Sequence, residues 1–282
     1  MRQRAVRRAS TAGVSTALAA VLALVAGCSR NAGDHKVRVA AAADLARAFT
    51  ELGAEFKAKT GIALEMEFGS SGLLAKQIEQ GAPFALFAAA NRGYIDQVVK
   101  AGKCDGDTAH AYARGRIVVW TPNGTSAPAS LDDLADPRFH KIAIANPEHA
   151  PYGKAAKEAL EKSGVWPKIA DRIVFGDNIQ TTMLYAHNHN ADAAVVALSL
   201  AVVDDGGSFL PIDPALHNPL DQALVVCGAG DDARAARQFS DFVSSKEGRE
   251  VMTRYGFLLP NEQMQARAPA PAAPADTTSK TP

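Results

Sequence analysis

The chain has 282 residues, of which 47% are hydrophobic and 21% are charged. Its 30 bases balance its 30 acids, but four of the bases are arginines within residues 1–27, a segment that contains no acid. Without that segment the net charge is −4, with acids and bases spread along the chain. This mild acidity argues against nucleic acid as a partner.

Residues 1–27 have the features of an export signal. A basic start is followed by an apolar run and by small residues just before Cys28. The apolar run is too short for a comfortable membrane span, and no second long apolar run follows it, so the rest of the chain is expected to be water-soluble. We predict an exported protein on the periplasmic or extracytoplasmic side of a membrane.

Residues 25–28 resemble a bacterial lipobox, in which the cysteine is lipidated and becomes the first residue of the mature protein. Such an anchor carries enough acyl chains for stable attachment, so Cys28 is the predicted lipidation site and the N-terminal anchor is the expected membrane contact. An ordinary secretory signal with an incidental cysteine is the alternative. Residues 28–36 form a short polar tether in either case.

After the tether, short apolar runs alternate with helical patterns. Strands are predicted at 37–43, 62–68, 84–88, 116–121, 142–145, 172–175, 193–197 and 223–227. Helices are predicted at 44–59, 71–80, 92–101, 152–163, 179–187, 231–243 and 245–254, with Gly61 and Gly81 where C-terminal caps are expected. Residues 263–282 are rich in Ala, Pro and Thr, and we expect a disordered tail there.

This alternation predicts an α/β protein with parallel strands and helices on both faces of the sheets. We divide the core into two α/β lobes, with residues 37–115 and 206–262 in the first and residues 116–205 in the second. Cys104 and Cys227 could form a disulfide in an exported protein, and two buried free thiols are the alternative.

At four places a predicted strand runs directly into a helix through small or turn-forming residues, at 42–44, 69–72, 150–153 and 177–179. Free N–H groups and the positive end of the helix dipole make such a junction an anion site, and ligands of open α/β sheets bind outside the carboxyl ends of the strands. None of the four contains Lys or Arg, so an anion would be held by neutral dipoles and hydroxyls. Any α/β domain also has junctions that bind nothing.

Four stretches, at residues 37–45, 68–84, 145–160 and 254–257, are similar to the periplasmic molybdate-binding proteins of ABC transporters. The resemblance covers nearly all of residues 37–257, and its second and third stretches are specific. It implies a type II periplasmic-binding-protein fold, with two α/β lobes and a hinge. It also implies a monomer that binds molybdate or tungstate and delivers it to an ABC permease and its ATPase, without enzyme activity or a cofactor. A ligand-sensing lipoprotein that signals to a partner is the alternative to transport.

The family's ligand contacts can be carried over position by position. They fall on Ala43, Asp44, Ser71, Ala90, Tyr152 and Ile179. The resemblance implies that Asp44, Ser71, Tyr152 and Ile179 hold the oxyanion, with backbone N–H contacts in the Tyr152 loop and at Ile179. No residue is expected to be a direct ligand of the metal.

Two positions depart from the family pattern. A tyrosine is frequent at the end of the strand 193–197, where this chain has Ala197. Tyr152 could reach the same ligand oxygen from another side, or it could only pack across the cleft. Asp44 stands where the family often has Ser or Asn.

Asp44 allows two interpretations. As the N-cap of helix 44–59, its carboxylate would accept hydrogen bonds from its own first turn, and its backbone N–H could still serve the ligand. Turned inward, an ionised carboxylate only accepts hydrogen bonds, so it would repel fully deprotonated molybdate and favour a protonated oxyanion such as phosphate or a phosphonate. We favour the cap, because Asp is a preferred N-cap residue.

Overall fold

The computed structural model describes residues 36–260. The predicted export signal, Cys28, most of the tether and the C-terminal tail therefore lie outside the described residues. The described part contains two five-stranded sheets. None of its helices is long and apolar enough to cross a membrane.

The first half of the described chain begins in one sheet and ends where the second sheet starts. Its elements are β1 (Lys36–Ala42), α1 (Ala46–Thr60), β2 (Ala63–Gly69), α2 (Ser71–Glu79), β3 (Leu86–Ala89), α3 (Arg92–Lys100) and β4 (Asp105–Gly115).

The second half builds the other sheet and then returns to the first. Its elements are β5 (Ile117–Pro122), β6 (Ile142–Ala145), α4 (Pro151–Lys162), α5 (Trp166–Ile169), β7 (Ile173–Gly176), α6 (Ile179–His187), β8 (Ala193–Ala197), α7 (Leu198–Ala201), β9 (Gly207–Pro211), β10 (Leu220–Val226), α8 (Gly230–Ser244) and α9 (Lys246–Arg254). The predicted strands and helices are all present, with ends shifted by up to three residues, but β4, β9 and the short helices α5 and α7 were not predicted.

Both sheets are mixed, which corrects the expectation of parallel strands. The first has the order β2-β1-β3-β10-β4, and β10 runs antiparallel to β3 and β4. The second has the order β7-β6-β8-β5-β9, and β5 runs antiparallel to β8 and β9. Consecutive parallel strands of one sheet are joined by a crossover connection, usually a helix. The chain enters β5 and β10 from the other sheet instead, so no such crossover sets their direction.

The chain passes between the two sheets twice. It crosses once between β4 and β5, and it returns between β9 and β10. We use first lobe and second lobe for the halves built around the first and second sheets. The predicted boundary after residue 205 falls before β9, but β9 pairs with β5, so the return to the first lobe comes after Pro211.

Helices cover both faces of the first sheet, as predicted. On one face, Phe239 of α8 packs edge-on against Phe49 and Phe56 of α1, with ring centroids 5.5 and 5.3 Å away. On the other face, a separate apolar cluster joins α2 and α3 through residues such as Leu74 and Ile95. These aromatic and aliphatic contacts fix the helices against the strands and hold the strand ends in place.

Two local predictions concern the ends of elements. Gly61 ends α1 with a φ of 75°, and Gly81 follows α2 with a φ of 95°, so both adopt the left-handed conformation that glycine tolerates best. Cys104 and Cys227 form a disulfide, which settles the alternative that the sequence left open. It ties the start of β4 to the end of β10.

Candidate ligand-binding site

The parallel strands place the predicted junctions at one edge of each sheet. Ala42, at the end of β1, pairs with Gly69, at the end of β2, and β3 ends beside them. In the second sheet, the last residues of β6 and β7 are paired in the same way. The turns that follow these strands therefore converge between the two lobes.

A small cavity lies where these turns meet. The first lobe contributes Ala42, Ala43, Asp44, Gly69, Ser70, Ser71 and Ala90, and the second lobe contributes Ala150, Pro151, Tyr152 and Ile179. All six predicted site residues are among them. Among these lining residues none is Lys or Arg, so the helix N-termini around the cavity supply its positive potential.

The N-termini of α2 and α6 are built in different ways. Ser71 is the first residue of α2 and is buried, and its Oγ accepts a hydrogen bond from the N–H of Ala90 at 3.0 Å. The Ala90 N–H is therefore already hydrogen-bonded, whereas the Ser71 hydroxyl can still donate its proton to another acceptor. At α6, the Asn178 side chain caps the N–H groups of Gln180 and Thr181, and the Ile179 N–H is not among those it caps.

Asp44 is not a helix cap, so the favoured interpretation of this residue was wrong. It lies in a 3-10 turn, Ala43–Leu45, and neither that turn nor α1 has a side-chain cap. Its carboxylate points inward instead. Oδ2 accepts hydrogen bonds from Tyr152 Oη at 2.9 Å and from Gln222 Nε2 at 2.6 Å. Oδ1 is buried and has no hydrogen-bond partner within residues 36–260.

Burial dominates the electrostatics of Asp44. Desolvation raises the pKa of its carboxyl from 3.8 to about 6, against the opposing hydrogen bonds from Gln222 and Tyr152. Burial also raises the pKa of Tyr112 and Tyr152 well above 10.0, and the Asp44 charge adds to both shifts. Both phenols are therefore protonated and can donate hydrogen bonds at neutral pH.

Gln222 and Tyr112 are parts of the site that the sequence interpretation missed. Gln222 is fully buried, and its Oε1 accepts a hydrogen bond from Tyr112 Oη at 2.7 Å while its Nε2 donates to Asp44. The predicted strand began one residue after Gln222, and Tyr112 lies in the unpredicted strand β4. A glutamine directly before an apolar strand was the available signal.

Tyr152 joins the two lobes, since it belongs to α4 while Asp44 and Gln222 belong to the first lobe. Its hydroxyl passes so close to Gly115 that a Cβ there would lie 2.0 Å from Oη. A side chain at position 115 would therefore displace the Tyr152 hydroxyl from Asp44. The close approach explains a glycine at the end of β4.

A second contact between the lobes involves Ser70, which also lines the cavity. The carbonyl oxygen of His149 accepts from Ser70 Oγ at 2.5 Å and from the Gly72 N–H at 3.0 Å. A Cβ on Gly72 would lie 2.7 Å from this oxygen, so glycine is needed for the approach. These hydrogen bonds join the two lobes beside the cavity.

The described residues contain no group of three or more His, Cys, Asp or Glu side chains that could hold a metal ion. An oxyanion does not need such ligands, because hydroxyl and N–H donors can bind it through its own oxygens. The lining of this cavity has that composition.

Known proteins share both the sequence and the architecture. The family described as bacterial extracellular solute-binding protein matches residues 37–258. The molybdate-binding protein ModA of Rhodobacter capsulatus is 33% identical over 243 residues, which cover 85% of this chain and 95% of that protein. YvgL of Bacillus subtilis, named as a substrate-binding lipoprotein of an ABC transporter, is 33% identical over 243 residues, covering 83% of this chain and 93% of that protein.

A solved structure agrees with these relatives. The periplasmic molybdate-binding protein of Azotobacter vinelandii superposes with a TM-score of 0.74 and 26% sequence identity, over 80% of this chain and 100% of that one. The two mixed sheets with their helices therefore have the predicted periplasmic-binding-protein fold. The chain belongs to the family of bacterial extracellular solute-binding proteins.

Proposed function

We propose that this protein binds molybdate or tungstate between its two lobes and delivers the oxyanion to the permease and ATPase of an ABC importer, without any covalent step. The observation that carries the proposal is the cavity between the lobes, which is built from strand–helix turns of both sheets and has no basic residue in its lining. The relatives named as molybdate-binding proteins support the choice of ligand.

The physical basis is recognition of the anion by neutral donors. The Ser71 hydroxyl and backbone N–H groups at the helix N-termini offer hydrogen bonds to oxygens of a desolvated anion. Each buried donor left without an oxygen costs free energy, so the number and geometry of donors select the ligand. Ala43 and Ala90 contribute small side chains that leave room for it.

Titration calorimetry with molybdate, tungstate, sulfate and phosphate tests this proposal. We expect tight binding of one molybdate or tungstate ion per chain, because the proposed site is the cavity between the lobes of a monomer. Absence of binding by all four anions would overturn the oxyanion function.

Replacing Ser71 with Ala is expected to weaken molybdate binding about 10- to 100-fold, because a hydrogen bond to a charged ligand is lost. The change also removes the acceptor of the Ala90 N–H. Calorimetry on the folded variant measures the loss. Ser163→Ala is the matched control, since Ser163 bonds Leu160 at the end of α4 and should leave the affinity unchanged. Equal affinities for Ser71→Ala and the control would show that Ser71 does not contribute to molybdate binding.

A second ligand class is favoured by one observation, the inward carboxylate of Asp44. A hydrogen phosphate or phosphonate carries a proton that it can donate to a carboxylate oxygen, whereas molybdate has none near neutral pH. If phosphate is the ligand, Asp44→Asn should lose phosphate binding, because the amide cannot replace that acceptor. Molybdate binding by the unchanged protein, with none of phosphate, excludes this candidate.

We also propose that Cys28 carries a lipid that holds the protein on the extracytoplasmic face of a membrane. The lipobox-like residues before it and the lipoprotein relative support this. The protein should partition into detergent with the membrane fraction, and Cys28→Ser should release it into the soluble fraction. Equal partitioning of both would contradict the anchor.

A further inference from the structure

We propose that Asp44 and the bound oxyanion share one proton, so that a fully deprotonated ligand such as molybdate binds together with a proton that Asp44 donates from Oδ1. This inference rests on the proposed oxyanion function and adds a residue that determines which charge state of the ligand is bound. The proton comes from the solvent on binding and returns to it on release. The molybdenum is coordinated by its own oxygens, and no residue needs to be its ligand.

The hydrogen bonds of Asp44 assign the proton to one oxygen. Oδ2 already accepts from Tyr152 and Gln222, and both groups are held in place, since Gln222 is itself bonded to Tyr112. Oδ1 is buried, is without a partner in the described part of the chain and belongs to a residue that lines the cavity. A protonated Oδ1 would be a donor, and a ligand oxygen in the cavity is the acceptor that it lacks.

The charges around Asp44 favour the neutral form once an anion enters. From α4 and β4 it faces the phenols of Tyr152 and Tyr112, and from β10 it faces the amide of Gln222. From α7, Ser199 donates to its backbone oxygen, and α6 contributes Ile179 to the cavity. All of these groups are neutral.

Arg116 is a cation that interacts electrostatically with Tyr152, and its guanidinium donates to the carbonyl of Gly256. No charged group contributes to the shifted pKa of Asp44, which is about 6 because of burial. An ionised Asp44 beside a dianion would therefore meet uncompensated repulsion in a desolvated site. Taking up a proton removes the repulsion and adds a hydrogen bond.

Calorimetric titration of the purified protein with sodium molybdate at about pH 7.5, in buffers of different ionisation enthalpy, counts the protons taken up. We expect close to one proton per molybdate. Between about pH 7 and pH 8 the affinity should fall about tenfold, because the ligand-free carboxyl is ionised over this range.

The Asp44→Asn variant tests the role of the proton while keeping the hydrogen bonds that residue 44 accepts. Its amide oxygen can accept from Tyr152 and Gln222, and its NH₂ group is a permanent donor in place of the protonated Oδ1. We expect it to bind molybdate without proton uptake and with an affinity that does not change from about pH 7 to pH 8. Asp96→Asn is the control, since Asp96 is an exposed residue of α3 that pairs with Arg92, and this variant should keep both the uptake and the pH dependence.

Each outcome decides a different point. Molybdate binding without proton uptake and without a change in affinity with pH overturns this inference and leaves the proposed function standing. A folded Asp44→Asn variant that fails to bind molybdate overturns it as well. If the unchanged protein binds no oxyanion at any pH, the proposed function itself fails. Should the variant not fold, the proton count of the unchanged protein is sufficient.

Discussion

At about pH 7.5, the ligand-free Asp44→Asn variant is expected to have a free energy of unfolding about 3 kcal/mol higher than that of the unchanged protein. The reason is burial without a charged partner. Asp44 is 1% exposed, and desolvation raises its pKa from 3.8 to about 6. Ionising this carboxyl therefore costs more in the native protein than in the unfolded chain, and an isosteric amide avoids the cost while keeping the acceptor for Tyr152 and Gln222.

The gain has a defined dependence on pH. Below 3.8 both native and unfolded chains hold the proton, so the variant gains nothing. As the pH rises from 3.8 to about 6, only the native protein keeps the proton, and its free energy of unfolding falls; above about 6 the loss is complete. Urea unfolding at about pH 4 and pH 7.5 measures the difference, and Asp96→Asn should change little at either pH. A gain of the same size at both values would show that the titration of Asp44 is not its cause.

Reducing the disulfide between Cys104 and Cys227 is expected to lower the free energy of unfolding by about 2 to 5 kcal/mol. The two cysteines are 123 residues apart, so the bond closes a long loop and removes much conformational freedom from the unfolded chain. In the native protein it joins the start of the edge strand β4 to the end of β10. Urea unfolding with and without reductant measures the difference.

The Cys104→Ser/Cys227→Ser double variant is the matched control. It should be as unstable as the reduced protein and should not respond to reductant. Its affinity for molybdate should be unchanged, because Val226 pairs with Leu86 at the start of β3 whereas Ala90 follows the end of that strand. A double variant as stable as the oxidised protein would contradict a stabilising disulfide.

The sequence by itself determined the parts of the structure that depend on neighbouring residues. Hydrophobic periodicity located most strands and helices, and Gly61 and Gly81 marked helix ends because a left-handed residue is a local requirement. The strand–helix junctions could be located in the same way. Since parallel strands end at a common edge, those junctions led to the residues that line the cavity, among them Ser71 and Ile179.

Only the tertiary structure decided what depends on residues far apart in the chain. The orientation of Asp44 is set by Tyr152 and Gln222, which are 108 and 178 residues away, and these donors prevail over the local preference of Asp for a helix cap. The passage of the chain between two sheets likewise decides that β5 and β10 run antiparallel to their neighbours. It also decides that β9 belongs to the second sheet. Local pattern fixes where an element begins, but the direction of a buried side chain is fixed by the partners that can satisfy it in the folded core.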